Sequence, residues 1–197
     1  MTIESDDDLT ALAAVGRIVR ETLAETARQL RAGITTAELD AIGGALLAPE
    51  GARSVPRLAY DFPGHTCISV NDEAAQGVPG GRVLGDGDLI NIDVSAGRDG
   101  YWVDTGGSFP VGPPSEAVAE LCAHTRAARR KAVFAAEAGR PINAIAVEGE
   151  ARRGGYNIVL RPRRSRHRVL HPRAADGSQY LFQRRPPALD RRSGHRH

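Results

Sequence analysis

The sequence has no apolar run approaching the roughly 20 residues that a membrane-spanning helix requires. It also lacks the start of a secretory signal, which is basic and then apolar, because its first ten residues are MTIESDDDLT. Both absences exclude the membrane and secreted classes that such segments mark. We therefore expect a soluble cytoplasmic protein with no membrane partner.

Cysteine and aromatic residues are also scarce. The only cysteines are Cys67 and Cys122, which lie far apart, and aromatic residues make up 5% of the chain. This pattern excludes a disulfide framework and a zinc knuckle, and it favours two small buried side chains. With 197 residues, of which 41% are hydrophobic, the chain is long enough for one sizeable core.

Lysine is nearly absent, because Lys131 stands against 25 arginines, and the charge is unevenly distributed. Residues 160–197 contain eleven Arg and two Asp, a net charge of +9, so residues 1–159 carry −7. A basic tail on an acidic body is typical of proteins that bind a polyanion, and eleven arginines are enough to neutralise several phosphates. The tail lacks interleaved aromatic residues and any nucleic-acid-binding fold signature, so nucleic acid is the least favoured partner.

The rest of the sequence alternates between helical and strand patterns. Apolar residues at helical spacing, Asp-rich or Thr and Glu starts, and Gly or Pro ends predict helices over 5–33, 36–49 and 115–139, and a further helix over 141–159 that breaks at GGY. Short β-type runs predict a strand at 66–71 and a hairpin at 88–112 with its turn at 97–100. These elements indicate an α/β (α+β) fold with an antiparallel sheet and flanking helices.

Two aspartates lie in the predicted hairpin. Asp93 in NIDV and Asp104 in WVDTG are eleven residues apart, so a turn centred on GRDG would allow both carboxylates to point to one face of adjacent strands. Two carboxylates held together repel, and burial raises that cost, so they require a proton or a cation between them. A hard divalent metal is one such cation. The alternative is that each Asp merely caps a turn, and the pair taken alone favours this alternative.

The sequence around this pair closely resembles the type I methionine aminopeptidases, the pita-bread metallopeptidases. The resemblance runs from about residue 6 to residue 159 and follows ordered motifs: a Phe-Pro segment, ISVN, QGVP in place of His-Gly-Ile-Pro, GDLINIDV and GYWVDTG. It implies removal of the N-terminal methionine from nascent proteins by two divalent ions, Co, Mn, Fe or Zn. Asp93 and Asp104 match the first two of five metal ligands.

The resemblance also assigns residues outside the hairpin. Tyr60, Phe62 and Cys67 match positions that line the pocket for the methionine side chain, although ordinary core packing explains them as well. Gln76 stands where the family has a histidine that contacts the substrate amide. A neutral amide donates a hydrogen bond but does not exchange a proton near pH 7, so this change predicts a slower enzyme.

The family's other three ligands, a His and two Glu, are expected beyond residue 159, where the sequence becomes rich in Arg and Pro. When the codons of Arg161 to Arg168 are read one nucleotide later, they permit Asp-Leu-Ala-Gly-His-Gly-Ile. In the same shifted frame, Pro172 to Ser178 permits His-Glu-Pro-Pro. Leu189 to His197 permits Thr-Asp-Gly-Leu-Val-Ile-Ala, which a TGA stop codon after His197 would complete to Ile-Glu. These are the family's motifs in order, so we infer a one-base insertion or two-base deletion near the codons of 157–160.

The predicted organisation follows from this frame change. Residues 1–159 form a methionine aminopeptidase-like part, an incomplete pita-bread fold, and residues 160–197 form an irregular, disordered, out-of-frame basic tail. We expect a monomer that is marginally stable, weakly metallated and inactive. Two alternatives remain open: a non-catalytic module that binds peptides or the ribosome, and a nucleic-acid-binding protein that acts through the tail.

Overall fold

A computed structural model describes residues 3–73, 75–139, 148–158 and 182–184. They divide into two compact units. The first comprises residues 3–73 and 75–119, and the second comprises residues 120–139, 148–158 and 182–184. The predicted metal, pocket and substrate-contact residues all belong to the first unit.

The first unit contains three helices, of which the first two begin as the sequence predicts and the third, a short one, is not predicted. They are α1 (Asp6–Arg28), α2 (Thr36–Leu47) and α3 (Val55–Tyr60), and a 3-10 turn at Ala48–Glu50 follows α2. A capping box opens α1, in which Ser5 accepts from the amide of Asp8 while the Asp8 carboxylate accepts from the Ser5 amide. Thr35 and Glu38 form the same motif before α2.

The two predicted helices extend too far at their C-terminal ends. The first helix ends at Arg28 rather than near Gly33, because Gly33 donates from its amide to the Leu84 carbonyl and Ile34 accepts from the Leu84 amide. The chain must leave the helix to make this pairing. The second helix ends at Leu47, and Pro49 lies in the 3-10 turn that follows it.

The sheet of the first unit is antiparallel, as predicted. Its strands are β1 (Arg53–Ser54), β2 (Cys67–Val70), β3 (Leu89–Arg98) and β4 (Tyr101–Pro110). Strand β3 pairs with β1, β2 and β4. Gly97, predicted in the turn, belongs to β3 and pairs with Trp102, so the turn is only Asp99 and Gly100, both at positive φ.

One core fills the space between this sheet and the helices. The alternating residues Ile90, Ile92, Val94 and Ala96 of β3 are fully buried, and helix α1 packs against this strand. The same buried cluster contains Val15, Ile18 and Val19 of α1 and Leu39 and Leu47 of α2. The residues between the buried positions of β3 therefore face away from the core. This alternation decides which side chains are available to a site.

The second unit is smaller. Helix α4 (Glu116–Ala135) enters it, followed by α5 (Glu148–Arg153), β5 (Tyr156–Ile158) and β6 (Phe182–Arg184). Ala128, Ala151 and Tyr156 form its buried cluster. The predicted helix does break at the GGY segment, where Gly155 has φ 77, but residues 156–158 form a strand, because β6 pairs with them in antiparallel register.

The predicted basic tail is described only at β6. Apart from this short strand, the tail and the start of the predicted helix at 141 lie outside the described residues. Among the helices that the structure describes, none combines the length and apolar character needed to cross a bilayer.

Candidate functional site

The candidate site lies on the face of β3 opposite the core. Ile92 and Val94 are buried on the core side, so Asp93, which lies between them, faces the other way and is partly exposed. A carboxylate in this alternating strand is therefore held at a fixed place without entering the apolar core.

The register of the hairpin brings the second aspartate to the same face. Asp93 pairs with Gly106, and Ser95 pairs with Asp104. Residues directly opposite each other in an antiparallel pair share a face, as do residues two apart on one strand. Both carboxylates therefore lie on one face of adjacent strands, which is the arrangement that the hairpin pattern predicts.

A serine on this face contacts one of the carboxylates. The Ser95 hydroxyl donates a hydrogen bond of 2.8 Å to Oδ1 of Asp104. Ser95 is not among the site residues that the sequence predicts. The hairpin pattern contained a usable signal, because a residue two positions after Asp93 must share its face, but the exact register was needed to set it opposite Asp104.

Cys67 lies next to the same carboxylates. It is buried in β2, directly opposite Asp93 in the strand pairing. Burial, and then the negative charges of Asp93 and Asp104, raise the pKa of the Cys67 thiol to about 12. The thiol is consequently neutral near pH 7 and presents a small apolar surface beside the two carboxylates.

A buried aspartate holds the segment that leads into β2. Oδ1 of Asp40 accepts hydrogen bonds from the amides of His65 and Thr66, at 2.8 and 2.7 Å, and from the Thr66 hydroxyl at 2.8 Å. The helix that carries Asp40 lies close to Thr66 at Gly43, which has no side chain. A Cβ on Gly43 would lie only 2.8 Å from the Thr66 methyl group. Asp40 therefore helps to place the start of β2, and it is not among the residues that the sequence predicts for the site.

The two predicted aromatic residues of the pocket lie together at the end of α3. Phe62 is buried and Tyr60 is partly exposed, and their rings meet edge to face with centroids 6.2 Å apart. Asp61 between them has φ 55, which turns the chain out of the helix. The turn at the end of α3 therefore brings the rings of Tyr60 and Phe62 into contact.

Gln76 lies on an exposed loop anchored to β2. Its φ is 56, and the next residue, Gly77, accepts from the Ile68 amide at 2.9 Å and donates to the Ser69 hydroxyl at 3.0 Å. The position of Gln76 relative to β2 is therefore set by its neighbour. The loop runs along the strand that carries Cys67.

The donor set partly fits a metal. Asp93 and Asp104 supply carboxylate oxygens, the ligands that hard divalent ions take. Among the described residues, no group of three or more His, Cys, Asp and Glu side chains is placed to hold an ion. The hairpin thus offers two donors of a suitable kind.

The family of this chain follows from a comparison of its sequence with known protein families. The sequence profile of metallopeptidase family M24 matches residues 10–172. The chain belongs to metallopeptidase family M24. The M24 match begins inside α1, includes β5 and ends inside the basic segment.

Individual M24 relatives agree. The chain is 43% identical over 162 residues to methionine aminopeptidase 2 of Bacillus subtilis, a match that covers 81% of this chain and 65% of the relative. The chain therefore spans slightly less than two thirds of that relative's length. The predicted resemblance to methionine aminopeptidases is confirmed, and metal use belongs to the family as a class of metallopeptidases.

Solved M24 structures confirm the fold. The structure is similar to methionine aminopeptidase from Rickettsia prowazekii, with a TM-score of 0.72 and 27% identity, covering 81% of this chain and 65% of that one. It is also similar to the Thermotoga maritima enzyme, with a TM-score of 0.76 and 21% identity over the same shares. The chain thus has the fold of about two thirds of a pita-bread enzyme.

Proposed function

We propose that the β3–β4 hairpin is the first half of a divalent-metal site for removal of N-terminal methionine from nascent peptides in the cytoplasm. The observation that carries the proposal is the shared face of Asp93 and Asp104, set by the pairing of Ser95 with Asp104. The match to methionine aminopeptidases supports the same reaction. We expect the chain to be a monomer.

The resemblance to these aminopeptidases assigns a role to each residue of the site. Asp93 and Asp104 would hold two ions of Co, Mn, Fe or Zn, which in such enzymes polarise the scissile carbonyl and activate a water. Cys67, as a buried neutral thiol, suits a wall of the pocket for the methionine side chain better than a role as a metal ligand. Tyr60 and Phe62 would add the aromatic part of that wall.

We further propose that this 197-residue chain does not complete the site. Residues 1–159 are the aminopeptidase part, and residues 160–197 are read out of frame, so that the third, fourth and fifth ligands are lost. Two carboxylates hold a divalent ion weakly, because affinity depends on the number of ligands and on a preformed cage. The expected product is therefore inactive.

Genomic sequencing across the codons of 157–160 tests the frame change. A coding sequence one base longer or two bases shorter than the in-frame family pattern supports it. An intact frame, with no trace of the Gly-His-Gly and His-Glu-Pro segments in the alternative frame, excludes it. A confirmed shift present in independent isolates identifies a real lesion rather than a reading error.

Enzyme assays test the function separately. The 197-residue chain and a frame-restored chain are compared for release of methionine from Met-Ala-Ser with added Co²⁺ or Mn²⁺. We expect release only by the restored chain and a loss of about 100-fold or more when Asp93 is changed to Asn, because one ligand charge is removed. Activity in the 197-residue chain would contradict the proposed inactivity, and full activity of the Asp93→Asn form would contradict the ligand assignment.

A further inference from the structure

We propose that Ser95 is a positioning residue for Asp104: its hydroxyl orients the Asp104 carboxylate for a divalent ion. This inference rests on the proposed metal site and adds a residue to it. Ser95 lies opposite Asp104 in the β3–β4 pairing, and its Oγ lies 2.8 Å from Oδ1 of Asp104.

An exposed carboxylate is free to rotate about its side-chain bonds. Asp104 is exposed on β4, so nothing in the apolar core restricts the rotation of its side chain. A hydrogen bond to Oδ1 restricts that rotation before an ion arrives, and it reduces the entropy that binding must remove. Hydrogen-bond partners of ligating carboxylates typically change metal affinity about 10–100-fold when they are removed.

A second serine on the same hairpin provides a matched comparison. The Ser108 hydroxyl accepts a cross-strand hydrogen bond of 3.1 Å from the Asn91 amide, and these two residues also pair directly. The two pairs thus make the same type of contact between the same strands, but only the Ser95 pair includes a carboxylate. Loss of either hydroxyl removes one cross-strand bond, and only the loss at Ser95 releases Asp104.

The chain contains its own reporter for the ion. Trp102 is the single tryptophan of the sequence and lies two residues before Asp104, on the same face of β4. It is 48% exposed, and a Cβ on Gly97 would lie 2.6 Å from its ring, so the indole covers Gly97. An ion at Asp104 would therefore bind close to the only indole, and Co²⁺ quenches indole fluorescence at short range.

The experiment titrates the 197-residue chain with CoCl₂ and follows Trp102 fluorescence. Electron paramagnetic resonance of free Mn²⁺ measures the affinity independently. The parent should show saturable quenching with a dissociation constant on the order of millimolar, as expected for few ligands. Asp104→Asn should leave only the linear quenching that collisions produce.

The decisive pair is Ser95→Val and Ser95→Thr, which have the same shape and differ by the hydroxyl. Both residues are strong strand formers, so both variants should fold. Ser95→Val should weaken binding about 10-fold, and Ser95→Thr should stay within about two-fold of the parent. Ser108→Ala should leave the affinity unchanged while lowering the thermal midpoint by about as much as Ser95→Ala.

The outcomes separate this inference from the function on which it rests. Equal affinities of the Val, Thr and parent chains, with binding lost in Asp104→Asn, would overturn the role of Ser95 and leave the metal site intact. Equal behaviour of the parent and Asp104→Asn would remove the metal site and the role of Ser95 together. An equal loss of affinity in Ser95→Val and Ser108→Ala would show a general effect of hairpin stability and would also overturn the inference.

Discussion

The hydroxyl of Tyr101 donates a hydrogen bond to Oδ1 of Asp8, with 2.5 Å between the two oxygens. The bond joins the first turn of α1 to the first residue of β4. The other carboxylate oxygen of Asp8 accepts from the Ser5 amide in the capping box. Asp8 thus takes part in the N-terminal cap of α1 and also links the first turn of this helix to the hairpin that carries Asp104.

This contact predicts a pH dependence of stability. The bond from Tyr101, followed by those from Glu4 and Ser5, lowers the pKa of Asp8 from 3.8 to about 2. Because the folded state favours the charged form, the stabilisation is complete above about pH 4 and is lost as the pH falls towards 2. Tyr101→Phe should therefore have a lower thermal midpoint than the parent at pH 7, and the difference should shrink as the pH falls through about 2.

The double variant controls for unrelated effects of each change. Asp8→Asn should destabilise the parent more than it destabilises Tyr101→Phe at pH 7, because the two residues share one contact. The bond also raises the pKa of Tyr101, so the same stabilisation should decline again as the pH rises through and above 10. Additive effects of the two changes would contradict the coupling.

Gly77 should resist substitution because of backbone contact. A Cβ there would lie 2.1 Å from the Ile68 carbonyl oxygen, and Ile68 is fixed by its pairing with Ile92. Gly77→Ala should lower the free energy of unfolding by about 1–3 kcal/mol, as overpacking does. Gly80→Ala is the matched control in the same loop, because no atom lies within 4 Å of its added Cβ. Equal urea midpoints for both variants would contradict the clash.

Asp40 should contribute strongly to the placement of β2. Asp40→Ala leaves the buried amide of Thr66 without its acceptor, so we expect a loss of about 3 kcal/mol in the free energy of unfolding. Asp40→Asn keeps one acceptor oxygen and should lose less. Urea unfolding gives the energies, and faster hydrogen exchange at the Thr66 amide in Asp40→Ala would locate the effect. Unchanged exchange there would show that another group holds the segment.

Gln76→His should increase the rate at which the frame-restored chain releases methionine. The backbone at this position has φ 56, which histidine adopts more readily than most residues, so the substitution fits the loop. We expect kcat to rise about 10-fold or more, with a new limb in the pH profile near the ordinary histidine pKa of about 6.5. Gln76→Asn also tolerates positive φ but cannot exchange a proton. A rate for the His form equal to that of the Asn form would contradict the role.

Much of the fold follows from local patterns. Capping patterns near residues 5 and 36 predict where two helices begin, because a cap needs only its own neighbours. The cap of the second helix is Thr35, one residue before the predicted Thr36. Helix ends were predicted less well, since α1 ends at Arg28 so that Gly33 can bond to Leu84, about fifty residues along the chain. The Gly33–Leu84 contact that accompanies the end of α1 joins residues far apart in the sequence, so local periodicity does not predict it.

In the candidate site, too, some features follow from local sequence patterns and others only from contacts between distant segments. Alternation along β3 determines by itself that Asp93 faces away from Ile92 and Val94, because successive side chains in a strand point to opposite faces. The GRDG turn makes a hairpin expected, but a shift of one residue would have sent Asp104 to the other face. Only the tertiary structure set Asp104 opposite Ser95 and Cys67 opposite Asp93, because strand register is a property of two segments packed on a shared core.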